Sequence, residues 1–99
     1  MQLNQINADH TQLTFKTMTF TIYSKRGCPY CDKIKNILDD LSERKGYPIL
    51  YRELGSDFTR QEFWEQFGMG STFPQVVMGE KNLGGCIDTV KYLSENKLL

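Results

Sequence analysis

Cysteine, proline and histidine are scarce in this chain, and net charge is absent. Of 99 residues, three are Cys, three Pro and one His. Three thiols, an odd number, exclude a secreted scaffold held by several disulfides. Three scattered prolines leave no Pro-rich linker to divide the chain, and no internal repeat is present. Lys plus Arg equals Asp plus Glu, at 12 each. That balance removes the basic footprint of a nucleic-acid binder and the polybasic anchor of a membrane-surface protein. No apolar run approaches the ~18 residues of a transmembrane helix. What is present is 39% hydrophobic, 12% aromatic and 24% charged residues, the composition of a globular domain with one modest core. The expectation is a small, soluble, cytoplasmic monomer with neither nucleic acid nor membrane as partner.

Residues 1–17 stand apart. They are rich in Gln, Asn and Thr, with no aromatic before Phe15 and no sustained period. No basic segment leads into an apolar one, and Arg is missing, so neither a signal peptide nor a mitochondrial-type leader is expected. The reading is a loosely ordered extension, followed by one domain over residues 18–99. Met18 is a conceivable second start.

From Met18 the period alternates between two and 3.6. Met18, Phe20 and Ile22 alternate with Thr19, Thr21 and Tyr23, which predicts a strand. After a turn at Ser24 to Gly27, Ile34, Ile37, Leu38 and Leu41 mark an amphipathic helix that Pro29 opens and Gly46 ends. Ile49 to Leu54 reads as a second strand, with Pro48 favouring a sheet edge. Thr59 and Glu62 form a capping box for a helix carrying Phe63, Trp64 and Phe67, which Gly68 ends. Pro74 to Met78 predicts a strand, Gly79 to Asn82 a turn, and Gly84–Gly85 the end of a returning strand. Ile87 to Leu98 predicts a closing helix with Val90 and Leu93 buried. The order β-α-β-α-β-β-α implies an α/β domain: a mixed four-stranded sheet with helices on both faces, its first unit a right-handed crossover.

The chemical signal is Cys28-Pro29-Tyr30-Cys31, directly after a strand and opening a helix. At an N-cap, Cys28 meets unpaired backbone N–H groups and the positive end of the helix dipole, both of which favour thiolate. Lys25 and Arg26 add positive charge nearby. Cys31, one turn on, brings its sulfur within reach of Cys28. A thiol of pKa ~8.5 is only ~3% ionised at pH 7. Lowering that pKa by ~3.5 units raises the thiolate fraction roughly 30-fold but cuts intrinsic nucleophilicity roughly 40-fold. The two nearly cancel, so the gain lies in Cys28 as a leaving group from a mixed disulfide. Two Cys at this spacing are also half of a zinc site, for which only Cys86 and His10 remain as further ligands. Two incidental buried cysteines are the third reading.

With these residues in place, the chain resembles a dithiol glutaredoxin of the thioredoxin-like fold. Cys28-Pro29-Tyr30-Cys31 is identical to the family's commonest tetrad. Thr72-Phe73-Pro74 matches its Thr-Val-Pro segment, with Phe for Val. Gly84-Gly85-Cys86-Ile87-Asp88 matches the Gly-Gly-Cys stretch that opens the last helix. The match runs from Met18 to Leu99. Cys-x-x-C alone is shared with thioredoxins; the later Gly-Gly-Cys-x-Asp stretch makes the resemblance specific.

The resemblance implies Cys28 and Cys31 as catalytic pair, glutathione as reducing co-substrate, and no metal. It implies a glutathione site at Lys25, Tyr30, Gln61, Thr72, Phe73, Pro74, Gly85, Cys86, Ile87 and Asp88, with Arg60 an alternative to Gln61. Phe73 would pair its backbone with the glutathione cysteine, before a proline that is cis in the family. The N–H groups of Cys86 to Asp88 would take the γ-glutamyl carboxylate, and Asp88 the ammonium. Lys25, with Arg60 or Gln61, would meet the glycyl carboxylate. Clients would be disulfide-bonded or glutathionylated proteins, ribonucleotide reductase among them by family analogy.

Plainer roles compete for several of these residues. Thr72 and Pro74 suit a turn, and Asp88 suits a helix start. Lys25, Arg60 and Gln61 suit solvated surface. Cys86 suits a small packing residue, and Trp64, Phe63 and Phe67 suit core and groove wall. Ile87 replaces a usually polar residue, which predicts weakened rather than lost glutathione binding. Two other activities remain open: a thioredoxin-like disulfide reductase fed by a flavoprotein reductase, and a glutathione-ligated iron–sulfur cluster carrier. Gly27 before the first Cys argues against the former, Pro29 and the second thiol against the latter.

Overall fold

The computed structural model describes residues 18–99. The expected extension and His10 lie outside the described residues. Seven elements follow one another: β1 (Phe20–Ser24), α1 (Pro29–Lys45), β2 (Ile49–Glu53), α2 (Arg60–Phe67), β3 (Gln75–Met78), β4 (Lys81–Gly84) and α3 (Cys86–Glu95). The strand order is β2-β1-β3-β4. β1 runs parallel to β2 and antiparallel to β3, and β3–β4 is an antiparallel hairpin. This is the mixed sheet of a thioredoxin-like α/β fold. The edge position of β2 suits Pro48, which lacks a donor; its carbonyl accepts the Phe20 N–H at 2.9 Å.

Register decides what each face buries. Phe20 and Ile22 pair with Met78 and Val76, so all four project to one side. There they meet Ile34, Leu38 and Leu41 of α1 and Leu93 of α3, all fully buried. Burying each such side chain stabilises the fold by ~1.5–3 kcal/mol. The opposite face is aromatic. Tyr23 contacts Phe58 and Phe67 edge-on at 5.3 and 5.0 Å between ring centroids. Phe63 of α2 stacks on Phe73 at 4.1 Å.

Helix ends follow their caps. α1 begins on Cys28 with Pro29 in its first turn, and ends on Gly46, whose φ of 78° permits an N–H bond to Ser42 O. α2 has both bonds of the capping box: Glu62 N–H to Thr59 Oγ1 and Thr59 N–H to Glu62 Oε1.

Several sequence-based boundaries are corrected. β1 starts at Phe20, not Met18, and β2 ends at Glu53, with Leu54 forming a lone bridge to Phe58. β3 starts at Gln75, because Pro74 is part of the loop before it. Lys81 and Asn82 belong to β4, since Gly79, at φ 62°, starts the hairpin turn early. α3 ends at Glu95 rather than Leu98. Lys97 turns left-handed (φ 57°), its N–H bonds to Ser94 O, and the Leu98 N–H bonds to Leu93 O. That pair of bonds is a Schellman closure, which folds Leu98 back onto the core.

Candidate active site: a disulfide at a helix start

The site forms where β1 ends and β3 begins, adjacent in the sheet through the pair Tyr23–Gln75. The β1–α1 turn carries Cys28 into the N-cap position with extended backbone (φ −112°, ψ 101°). Its Sγ accepts the Cys31 N–H at 3.2 Å. Cys28 and Cys31 are joined as a disulfide, with Cα atoms 5.2 Å apart. Both are buried. The Cys31 N–H and the positive end of the α1 dipole thus both face the Cys28 sulfur.

Across from the tetrad, the Phe73–Pro74 peptide is cis, as the resemblance implies. A groove of about 240 Å³ is lined by Tyr30, by Thr72, Phe73 and Pro74, and by Gly85 through Asp88. Three separated stretches of sequence thus supply one concavity. Its floor includes the start of α3, whose first N–H groups have no carbonyl one turn back. Asp88 stands exposed in that first turn. Gly84 is needed for this approach: at φ 98°, a Cβ there would lie 2.9 Å from Asp88 Oδ2. Two apolar residues stay open to solvent at the groove, Tyr30 at 55% and Ile87 at 72% exposure. Cys86 is a free thiol buried within the aliphatic core cluster. Burial pushes its pKa up, with Lys33 acting weakly in the other direction.

Lys25 and Gln61 do not line this groove. Lys25 Nζ lies 5.6 Å from the centroid of the Phe73 ring, which itself lines the groove. Gln61 donates instead to Glu65 Oε1 at 3.3 Å along its own helix. Arg60 lies at a similar distance, its guanidinium 6.0 Å from the Phe73 centroid, and does not line the groove either. Arg26 is paired with Glu53 at 3.3 Å, so the cationic setting of the tetrad rests on Lys25 more than on Arg26.

The sequence reading missed a second concavity of about 370 Å³ on the Cys31 side. Lys25, Cys31, Asp32, Lys35, Tyr51 and Glu53 are among its walls. Tyr51 and Glu53 share the β2 face that looks toward α1, because they pair with Ile22 and Ser24; the period of two was the available signal. Tyr51 donates to Asp39, and Lys35 lies over the Tyr51 ring. Among the described residues no group of three or more His, Cys, Asp or Glu side chains is arranged to hold a metal ion. No helix there is long and apolar enough to cross a membrane.

The sequence model of the Glutaredoxin family matches residues 20–83. Glutaredoxin 1 of Rickettsia prowazekii is 33% identical over 84 residues, covering 81% of this chain and 82% of the relative. The solution structure of reduced Escherichia coli glutaredoxin superimposes with a TM-score of 0.72 at 24% identity, over 81% of this chain and 98% of that one. A buckwheat glutaredoxin solved as a glutathione complex superimposes at 0.56 with 25% identity, over 98% of this chain and 86% of that one.

Proposed function

Because the chain belongs to the glutaredoxin family, we propose that it is a glutathione-dependent oxidoreductase for disulfide-bonded and glutathionylated proteins. Thiol–disulfide oxidoreductase chemistry follows from the family and the Cys28–Cys31 disulfide. Dependence on glutathione is the further step. The observation that carries it is the groove beside Tyr30, walled by the backbone before a cis-proline and floored by a helix start.

Glutathione presents two carboxylates, one ammonium and a cysteine. The backbone at Phe73, just before the cis-proline, suits the cysteine, as in strand-like peptide recognition. The N–H groups of Cys86, Ile87 and Asp88 suit the γ-glutamyl carboxylate, and the Asp88 carboxylate suits the ammonium. Lys25 suits the glycyl carboxylate. The buckwheat relative's complex with glutathione supports the same reading.

Turnover balances as follows. Cys28 thiolate attacks one sulfur of a client disulfide and expels a client thiolate, which takes a proton. Cys31 then attacks the Cys28 sulfur, expelling the second client thiolate and forming Cys28–Cys31. One glutathione thiolate opens that disulfide at Cys28, releasing Cys31. A second attacks the bound glutathione sulfur, giving glutathione disulfide and free Cys28. With a glutathionylated client, Cys28 attacks the glutathione sulfur directly and Cys31 is dispensable.

A glutathione-coupled assay on wild type, Cys28→Ser and Cys31→Ser tests this. Cys28→Ser should lose both activities by at least 10³-fold, since a serine alcohol is barely ionised and a poor leaving group. Cys31→Ser should keep deglutathionylation and lose protein-disulfide reduction. Turnover with thioredoxin reductase but none with glutathione would refute the proposal.

A further inference from the structure

The outer face of α2 carries a concavity that this redox cycle leaves unused. It measures about 450 Å³ and is lined by Arg60, Gln61, Trp64, Glu65 and Met69. Met69 is 88% exposed, and with Trp64 it gives the concavity an adaptable apolar wall. Trp64 is the chain's one tryptophan. Its indole N–H is shielded from solvent yet has no hydrogen-bond partner.

This concavity adjoins the redox groove. The Arg60 guanidinium lies 5.8 Å from the Trp64 ring and 6.0 Å from the Phe73 ring. The ion pairs among the described residues are Arg26–Glu53 and Arg44–Asp40, so Arg60 retains its charge for a ligand. Phe73 and Trp64 are separated by at most roughly 12 Å, the two Arg60 distances laid end to end. Three to four extended residues span that length. Glutathione has a single residue on the carboxyl side of its cysteine and covers less than this upper bound.

We propose that the α2 groove receives an extended segment of a protein client while that client is disulfide-linked to Cys28. The segment bears a large aliphatic side chain three or four residues from its reactive cysteine, with a carboxylate between them. The proposal rests on the reading of Cys28 as the residue that forms mixed disulfides. The aliphatic side chain packs on Trp64 and Met69, and the carboxylate pairs with Arg60. The groove thereby favours one class of protein disulfide without touching glutathione.

The test uses the full chain with Cys31→Ser, so that a mixed disulfide persists. Synthetic peptides activated as pyridyl disulfides are coupled to Cys28, a reaction that needs no glutathione. One set carries Glu and, three or four residues from Cys on either side, Leu; its control has Ala for Leu; a third adduct is glutathione itself. Because Trp64 is the sole tryptophan, its emission reports on the groove. A Leu adduct should shift emission to the blue and at least halve acrylamide quenching, whereas the Ala and glutathione adducts should match the free protein. Met69→Asp, at an exposed position, should return the Leu adduct to the Ala behaviour. With Cys31 present, kcat/KM for a Leu-bearing peptide disulfide should exceed the Ala form about tenfold, and Met69→Asp should erase that ratio while sparing a small glutathione mixed disulfide. Identical emission from all adducts overturns the proposal, as does a Leu-adduct shift that survives Met69→Asp. An emission shift in the free protein that grows with its own concentration also overturns it, in favour of a second copy. No adduct with any peptide overturns this proposal and the role of Cys28 together; adducts without a spectral difference overturn this one alone.

Discussion

The two faces of the sheet are built from different materials. On one side Phe20, Ile22, Leu38, Leu41 and Leu93 interlock with no exposed surface. On the other, Tyr23, Phe58, Phe63, Phe67 and Phe73 form a chain of rings that ends at the cis-proline. The aliphatic face holds the domain together. The aromatic face also holds it, but its last ring lines the groove beside Tyr30. Packing on that side is therefore transmitted to the site through the Phe73 ring, whereas on the other side Cys86, at the start of α3, is the cluster member that reaches the groove.

Substitutions can break this contrast or sharpen it. The largest effect belongs to Leu38→Ala, which should cost ~2–5 kcal/mol in urea unfolding. The folded fraction should keep wild-type kcat and KM. If its KM rose with the loss of stability, the aliphatic face would be coupled to the site and the contrast would fail. Phe63→Leu should cost only about 1 kcal/mol, yet raise KM for the disulfide substrate roughly two- to fivefold with kcat steady. That change removes the ring stacked on Phe73 without opening a large void. Steady-state kinetics at matched folded fractions would decide it.

The smallest effect concerns Cys86, the acid inside the aliphatic face. Burial raises its pKa in the folded chain, so the folded state holds the proton more tightly than the unfolded one. The stabilisation this gives is complete below the ordinary thiol pKa. It is lost as pH rises from there toward the folded value, because the unfolded chain releases the proton first. Denaturation midpoints should thus fall above about pH 8.5, and Cys86→Ala should flatten that fall. An unchanged slope in the variant would remove Cys86 as its cause.

Much of this architecture was legible from periodicity. Alternation at Phe20–Ile22 and the 3.6-residue spacing of Ile34, Leu38 and Leu41 place those side chains in one core, as the structure has them. The Thr59–Glu62 box forms with both of its bonds because capping is decided within four residues. The end of α3 was not legible. Its closure turns on Lys97 adopting a conformation for which glycine is the usual signal. Eight of the ten residues implied for glutathione fall together because they come from three short stretches fixed to element ends. Lys25 and Gln61 fall elsewhere. Long side chains at a surface go where local partners draw them, here the Phe73 ring and Glu65, and sequence spacing does not encode that choice. For the Cys31-side concavity the period of two puts Tyr51 and Glu53 on one face of β2, but only the β1–β2 register shows that this face looks toward α1.

The strand order has a further consequence. Two of the three stretches that form the site, the cysteine turn and the cis-proline segment, adjoin the interior strands β1 and β3, whereas the third follows β4; the unpaired edges belong to β2 and β4. An edge is where another chain can add itself to a sheet. A strand added along β2 would lengthen the sheet on the side away from that third stretch, whereas one added along β4 would lie beside the residues that floor the groove.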